Sequence, residues 1–495
     1  MPERLHPGVY VEEVPSGVRP IEGVGTSTAA FIGITEKGPV GEATFVTSWT
    51  QFKTNFGSFI ADSYLAYAVL QFFNNGGRKC YIVRVTKGDE KTASVNIPDS
   101  DGATTLVVSA SSPGAWANDI DVVIEDPSSE ESDEFKLRVV KDSETEEAFD
   151  NLSLDSSKSN YFVNEIKGVS NYITVLDDPT STNRPANATY DLGSTTSGAD
   201  GGTPKDADYQ GDASEKTGFH ALDDKNDVNI ITVPGITSNA VIGKGFSYCK
   251  KRKDCFFIAD ISYASDTPTE AKDFVRNTLT TKNSYGAIYY PWIKATDPIG
   301  TGESPTKELP PSGFIAGMYA RIDGTRGVWK APAGTEAGIA GALGLTYNAT
   351  DTEQDILNPF GINCLRSFPA SGIVIWGART LSPDAEWRYI PVRRYAIFLE
   401  QSIYYGTQWA VFEPNDEDLW ASLRMNIRAF MMIQFREGAL QGSTPSEAFY
   451  VKCDADLNPQ SEIDAGRVNM EIGFAPLKPA EFVIIKITQK AGQQQ

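Results

Sequence analysis

The chain has 495 residues, 40% of them hydrophobic. That is ample for real cores and too long for one, so about two to four domains are expected. The formal net charge of -21 disfavours binding to nucleic acid or to anionic membrane surfaces, and 43 Gly, 28 Pro, 20 Tyr and 25 Phe favour a strand-containing, loop-rich fold over a helical bundle.

Residues 5–17, LHPGVYVEEVPSG, form a strand-like segment bounded by Pro and Gly. STAAFIGITEKGPV (27–40) reads as a strand and turn, and FVTSWTQFKTNFGSF (45–59) as an aromatic-rich stretch with a short helix. SYLAYAVLQFFNNGG (63–77) is a helix with an apolar stripe at Leu65, Val69, Phe72 and Phe73, stopped by Asn and Gly. RKCYIVRV (78–85) is a strand. Strand, helix, strand calls for one parallel or mixed sheet.

Residues 87–215 are rich in Ser, Asp, Thr and Glu, with short strands at 104–110, 119–126, 134–140 and 170–176. The stretch 177–219 is so polar that a long loop or flap is expected. A third block alternates strands and helices. Its strands are 227–235, 254–261 and 284–295. A helix runs to about 250, a capped helix covers 267–279, and another covers 310–322; a Gly/Ala-rich connection (327–344) follows. From 360 the reading is a strand pair (363–368, 371–381), then a strand and helix within 387–415. The strongest helix is 416–440, with Leu419, Leu423, Ile427 and Phe430 on one face. Strands at 448–454 and 468–477 precede a closing strand, AEFVIIKITQK (480–490).

No catalytic constellation stands out. The two histidines, His6 and His220, lack metal-ligand spacing, and neither HExxH nor a Walker A frame occurs. GFSYC around Ser247 lacks the second Gly of a nucleophile elbow. Asp119 and Asp121 flank strand residues and read as a solvated face. Arg388, Arg393 and Arg394 suit a salt bridge or a protein partner. A non-enzyme is expected, with no cofactor and no metal. The five cysteines (Cys80, Cys249, Cys255, Cys364, Cys453) are odd in number and contain no CxxC, so they are expected to be thiols made in a reducing compartment. Residues 1–20 lack the apolar run of a signal peptide, and no stretch approaches a membrane span.

The opening HPGVYVEEVPSGVRPIEGVGTSTAAFIG resembles the start of contractile tail sheath proteins, found in contractile phage tails, R-type pyocins and extracellular toxin-delivery particles. GPVG (38–41), FGSF (56–59), FFNNGGRKCYIVRV (72–85), PAGTEAG (332–338), NPFGIN (358–363), GIVIWGARTL, RRYAIFLEQSI and FEPND (412–416) are similar to that family as well. Residues 87–215 show little beyond general character. The resemblance implies an α/β (α+β), multidomain chain whose discontinuous core comes from both ends. The implied division is an N-terminal arm (1–22), a first core segment (23–86), an inserted β-rich outer domain (87–219), an inserted α/β domain (220–360), a second core segment (361–478) and a C-terminal arm (479–495).

The same resemblance implies a function and partners. Copies of the chain stack as six-fold rings around an inner tube protein, with baseplate and terminal cap proteins at the ends. The sheath contracts and drives the tube through a target envelope. Assembly is expected in the bacterial cytoplasm, for a phage tail or a tail-like particle released extracellularly; nucleic acid and membrane insertion are not implied. The arms reach into neighbouring copies and complete a sheet. Their physics suits that role. Val9 and Val11 alternate with Tyr10 and Glu12, and Val14 follows. Val483, Ile485 and Ile487 point one way, Phe482, Ile484 and Lys486 the other. Added strands bind through main-chain hydrogen bonds that tolerate side-chain variety. Arg424, Arg428 and Arg436 lie off the apolar face of 416–436, positioned either to grip an acidic tube or to pair with acidic groups within the sheath. A non-contractile coat polymer and a carbohydrate-binding surface protein are the other readings that the residues leave open.

Overall fold

Segments such as AAFIG and FFIAD are apolar at nearly every position and buried at all of them, as befits strands covered on both faces. The structure, a computed structural model, describes residues 19–129, 131, 133–176, 183–484 and 486. Contacts divide it into Gly25–Arg393 and a second unit that joins the residues up to Val24 with those from Arg394 on.

The first unit begins with β1 (Ala29–Gly33), β2 (Ala43–Val46), α1 (Trp49–Phe56), α2 (Leu65–Asn74) and β3 (Cys80–Arg84). An insertion supplies β4 (Ser94–Pro98), β5 (Thr104–Ala110), β6 (Ile120–Glu125), β7 (Phe135–Lys141), β8 (Glu144–Leu152), α3 (Phe162–Ile166), β9 (Ile173–Val175) and β10 (Ala188–Asp191). The chain resumes with α4 (Asp206–Gln210), β11 (Ile230–Thr232), α5 (Asn239–Arg252), β12 (Phe256–Asp260), α6 (Pro268–Asp273) and β13 (Gly286–Tyr290). It continues through β14 (Ile293–Thr296), β15 (Thr306–Leu309), α7 (Ser312–Arg326), β16 (Gly344–Leu345), α8 (Asp351–Leu357), β17 (Ile362–Phe368) and β18 (Gly372–Ile375).

One sheet of eight strands runs β18-β17-β13-β12-β11-β1-β3-β2. Its inner pairs are parallel, and the edge strands β2 and β18 are antiparallel. α2 and α7 cross at close range on one face, because α7 presents glycines there. A Cβ on Gly313 would stand 2.5 Å from the Ala68 backbone, and one on Gly317 would stand 2.5 Å from the Phe72 carbonyl. At the carboxyl end of β12, Asp260 is fully buried and caps α7: Ser312 donates from N and from Oγ, each at 2.8 Å, and Gly235 N donates at 3.2 Å. Burial pushes this carboxyl up to about 6.

The insertion forms a three-stranded sheet, β4-β5-β9, and a four-stranded one, β10-β6-β7-β8, which share one core. Its incoming and outgoing segments are zipped by reciprocal bonds between Lys91 and Ala199 at 2.9 and 3.0 Å. Arg84, buried, donates to the carbonyls of Gly38 (2.9 Å) and Pro113 (2.8 Å). The Lys37 ammonium lies over the rings of Trp116 and Tyr172, and burial lowers its pKa. The insertion is therefore clamped to the sheet by buried polar groups.

In the second unit α9 (Ile390–Gly406), which starts at the boundary, leads to α10 (Glu417–Arg436) and to the antiparallel pair β19 (Phe449–Lys452) and β20 (Glu471–Phe474). Leu419, Trp420, Leu423 and Cys453 form its inner cluster with Ile463, Val468 and Met470.

Three features differ from the sequence expectation. Residues 29–84 join β11–β13 and β17 in one sheet, because β1 is buried on both faces and needs strands on both sides. The segment expected as a strand near 387 starts a helix directly. Ile390 and Val392 mimic alternation, but Pro391 sits in the first turn, where its missing N–H breaks no helical bond. In the polar stretch, β10 adds to the edge of β6, and α4 and a 3-10 turn at Gly218–Leu222 follow.

Candidate functional site: terminal segments and their docking ribbon

The C-terminal segment leaves β20 through Ala475, which donates to the Ala448 carbonyl at 2.8 Å and accepts from Gln441 N at 2.9 Å. Beyond Pro476 the described chain takes no regular secondary structure. There Phe482, Val483 and Ile484 stand 71%, 80% and 82% exposed. Three consecutive apolar side chains open to solvent are costly unless something covers them. β19 and β20 pair only with each other among the described residues. Their outer edges therefore carry main-chain donors and acceptors not used by a sheet. Exposed Tyr450 donates its hydroxyl to Glu471 across the ribbon.

The N-terminal segment is rooted in the same unit. Arg19 N donates to Asn426 Oδ1 at 3.2 Å, and its guanidinium stacks 4.5 Å over Trp409. Ile21 is buried against Gly406, where a Cβ would stand 2.6 Å away. Val24 N donates to Ser402 Oγ at 3.1 Å. Sequence reasoning missed this root; its signal was Asn426 and Ser402, polar residues on the inward faces of apolar helices. Val9, Tyr10, Val11, Glu12 and Val14 lie outside the described residues, as do Ile485 and Ile487.

α10 opens with Asp416 as N-cap, accepting from Leu419 N at 3.0 Å, with Glu417 and Asp418 in its first turn. Leu419, Leu423, Ile427 and Phe430 are all buried, the face read from the sequence. The three arginines part company. Arg424 is spent inside the unit, donating to the Cys453 carbonyl and to Glu417 at 2.5 Å. Arg428 and Arg436 are exposed, together with Met425 and Ile433, so the outer face mixes charge with apolar surface.

Two of the polar groups weighed in the sequence, His220 and Arg393, are engaged in structural contacts. His220 sits between Asp223 and Lys244, 2.9 Å from each, and so ties the Gly218–Leu222 turn to α5. His6 lies outside the described residues. Arg393 donates to Ser284 at 2.9 Å and packs on Trp387. A cavity of about 410 Å³ at the carboxyl edge of the sheet is lined by Tyr263, Asp266, Tyr290, Trp292 and Glu308. In it the Tyr263 hydroxyl donates to Glu308. Among the described residues no cluster fit for a metal occurs, and no helix is long and apolar enough to cross a membrane.

Two family models match end to end: the phage tail sheath protein central domain over residues 207–381, and the phage tail sheath C-terminal domain over 382–490. The chain belongs to the contractile tail sheath family. It is a structural subunit of a contractile sheath. A prophage major tail sheath protein of Pseudomonas aeruginosa is 26% identical over 282 residues, 54% of this chain and 68% of that one. The tail sheath protein of Vibrio phage KVP40 is 31% identical over 180 residues, 36% of this chain and 26% of that one. Among solved structures, the sheath of the anti-feeding prophage in its contracted state aligns with TM-score 0.62 at 23% identity, over 98% of this chain and 100% of that one. A sheath tail protein from Listeria innocua aligns with TM-score 0.62 at 13% identity, over 92% and 96%. At those identities the sheath fold is what the likeness conveys.

Proposed function

We propose that the chain polymerises as a helical stack of six-fold rings around an inner tube, and that its two terminal segments cross into neighbouring copies. The observation that carries this reading is the exposed run Phe482–Ile484 beside a two-stranded ribbon with open edges. A neighbour's segment adds a strand to that ribbon, with main-chain hydrogen bonds supplying affinity and alternate side chains supplying register. Head-to-tail contacts that do not close give a filament. Strand addition survives rotation of the subunits because it depends little on side-chain identity, so the mesh holds while the sheath shortens and the tube is driven into a target envelope.

The solved sheath of the anti-feeding prophage is a helical sheath in a contracted state, and an extracellular contractile injection system has a sheath complex in that state as well. Association with a baseplate follows the same pattern. On the inner side, the basic residues Arg428 and Arg436 hold an acidic tube through a weak, salt-sensitive contact. The particle is a phage tail or an extracellular injection device assembled in the cytoplasm. The role is structural, with no reaction at any site.

Deletion of residues 480–495 tests the mesh. The truncated subunit should remain folded and soluble and form no cross-linked sheath. Truncated chains that build sheaths able to contract would refute it. Imaging of assembled particles before and after a urea or acid trigger separates contraction from a rigid coat, since one unchanged length and diameter belongs to the coat.

A further inference from the structure

All five cysteines are free and buried, and two of them touch. Cys249 lies in the last turn of α5 and Cys255 just before β12, with their sulfurs 3.4 Å apart. A disulfide needs about 2.05 Å, so closure brings the two atoms together by only a little over ~1 Å. The turn between them carries Lys250, Lys251, Arg252 and Lys253, four cations in a chain of net charge -21. Arg252 favours thiolate here while Asp254 disfavours it, and the exposed lysines draw in anionic reagents. Burial opposes thiolate and pushes the Cys255 thiol up, so reaction waits for the turn to open. Arg252 holds the turn shut. It donates to the carbonyls of Leu222 and Lys225, the latter at 2.9 Å, and grips Asp254 with two bonds of 2.8 and 2.7 Å.

We propose that Cys249 and Cys255 are a latent intrachain disulfide site, closed by exchange with a small-molecule disulfide once the subunit leaves a reducing compartment. One thiolate attacks a sulfur of the reagent, breaks its S–S bond and releases one reagent thiol. The second thiolate then attacks the protein sulfur of the mixed disulfide, forms the Cys249–Cys255 bond and releases the second reagent thiol. Two electrons and two protons pass from the cysteines to the reagent. The bond pins the end of α5 to the start of β12 and leaves Cys80, Cys364 and Cys453 reduced. The site stands independently of the sheath reading.

The full chain, incubated folded with oxidised glutathione and then denatured and alkylated, should show its five thiols fall to three. Peptide mapping should find Cys249 joined to Cys255, and the intact mass should drop by about 2 Da. Arg252→Ala, which frees the turn, should close about tenfold faster; Cys255→Ser should keep every remaining thiol as a protein thiol or a mixed disulfide, with no internal link. Five thiols persisting in the folded wild-type chain, a link to any other cysteine, or a mixed disulfide that never resolves would overturn the assignment. The wild-type count decides the matter even if a variant fails to fold.

Discussion

Val483→Asp probes the mesh where it is thinnest. In the strand addition proposed above, residue alternation sets Val483, Ile485 and Ile487 on one face and Phe482, Ile484 and Lys486 on the other. In the free subunit Val483 is 80% exposed, so the substitution should change monomer stability by no more than about 0.5 kcal/mol. In the added strand the uniformly apolar face turns inward. Losing a buried Val forfeits about 1.5 kcal/mol, and burying an unpaired carboxylate adds about 2 kcal/mol or more. The sum, about 3.5 kcal/mol, weakens each contact several-hundredfold. Ile484→Asp on the other face should cost markedly less. Sedimentation and electron microscopy read assembly, and urea unfolding reads the monomer. Equal effects at 483 and 484 would refute the alternation on which strand addition rests. Normal sheaths from Val483→Asp would refute the inward face.

Other outcomes follow from the two units taken separately. Gly317→Ala, whose Cβ would stand 2.5 Å from the Phe72 carbonyl, should destabilise the sheet unit by about 1–3 kcal/mol in urea unfolding by forcing α7 off α2. Asp260 binds its proton more tightly folded than unfolded, its pKa moving from 3.8 to about 6. Its stabilising contribution is therefore fully present below the unfolded value and is lost as pH rises through about 6, some ~3 kcal/mol across that window. Asp260→Asn should remove this slope, measured as the wild-type minus variant difference in urea unfolding between pH 4 and pH 7. Arg428→Glu with Arg436→Glu should leave the subunit folded, since both side chains are exposed. The pair should weaken a salt-sensitive hold on the tube by about 1 kcal/mol, and co-sedimentation with tube protein at two salt concentrations checks it.

Regular apolar patterns were legible in the sequence, and long-range choices were not. The α10 stripe Leu419, Leu423, Ile427 and Phe430 is buried as the helical period requires. The strands at β1, β12 and β13 follow from short apolar runs buried at every position. Which strands share a sheet depends on pairing across two hundred residues, as between Ala29 and Ile230, and no local period encodes it. The start of α9 was hidden because Ile390, Pro391 and Val392 satisfy strand alternation and a helical first turn alike. The root of the N-terminal segment rests on long-range contacts, the hydrogen bonds of Arg19 to Asn426 and Val24 to Ser402, the Arg19 stack on Trp409 and the packing of Ile21 on Gly406, and composition is blind to these.

A chain that shows three adjacent apolar side chains to water should aggregate, unless docking one segment is nearly neutral in free energy. Covering all of Phe482, Val483 and Ile484, the upper limit, gains about 1.5–3 kcal/mol each, roughly 4.5–9 kcal/mol together. Ordering the backbone of about five residues costs about 1–2 kcal/mol per residue, roughly 5–10 kcal/mol. The two nearly cancel, and hydrogen bonds of a weakly specific strand add little net. One segment on one neighbour is therefore a poor dimer contact, and the -21 charge keeps subunits apart. A subunit that engages two neighbours at once makes its second contact at high effective concentration. Free subunits should accordingly sediment as monomers at low micromolar concentration and polymerise sharply when a template aligns several of them. Stable dimers of the isolated subunit, lost on deleting residues 480–495, would show instead that a single docked strand suffices.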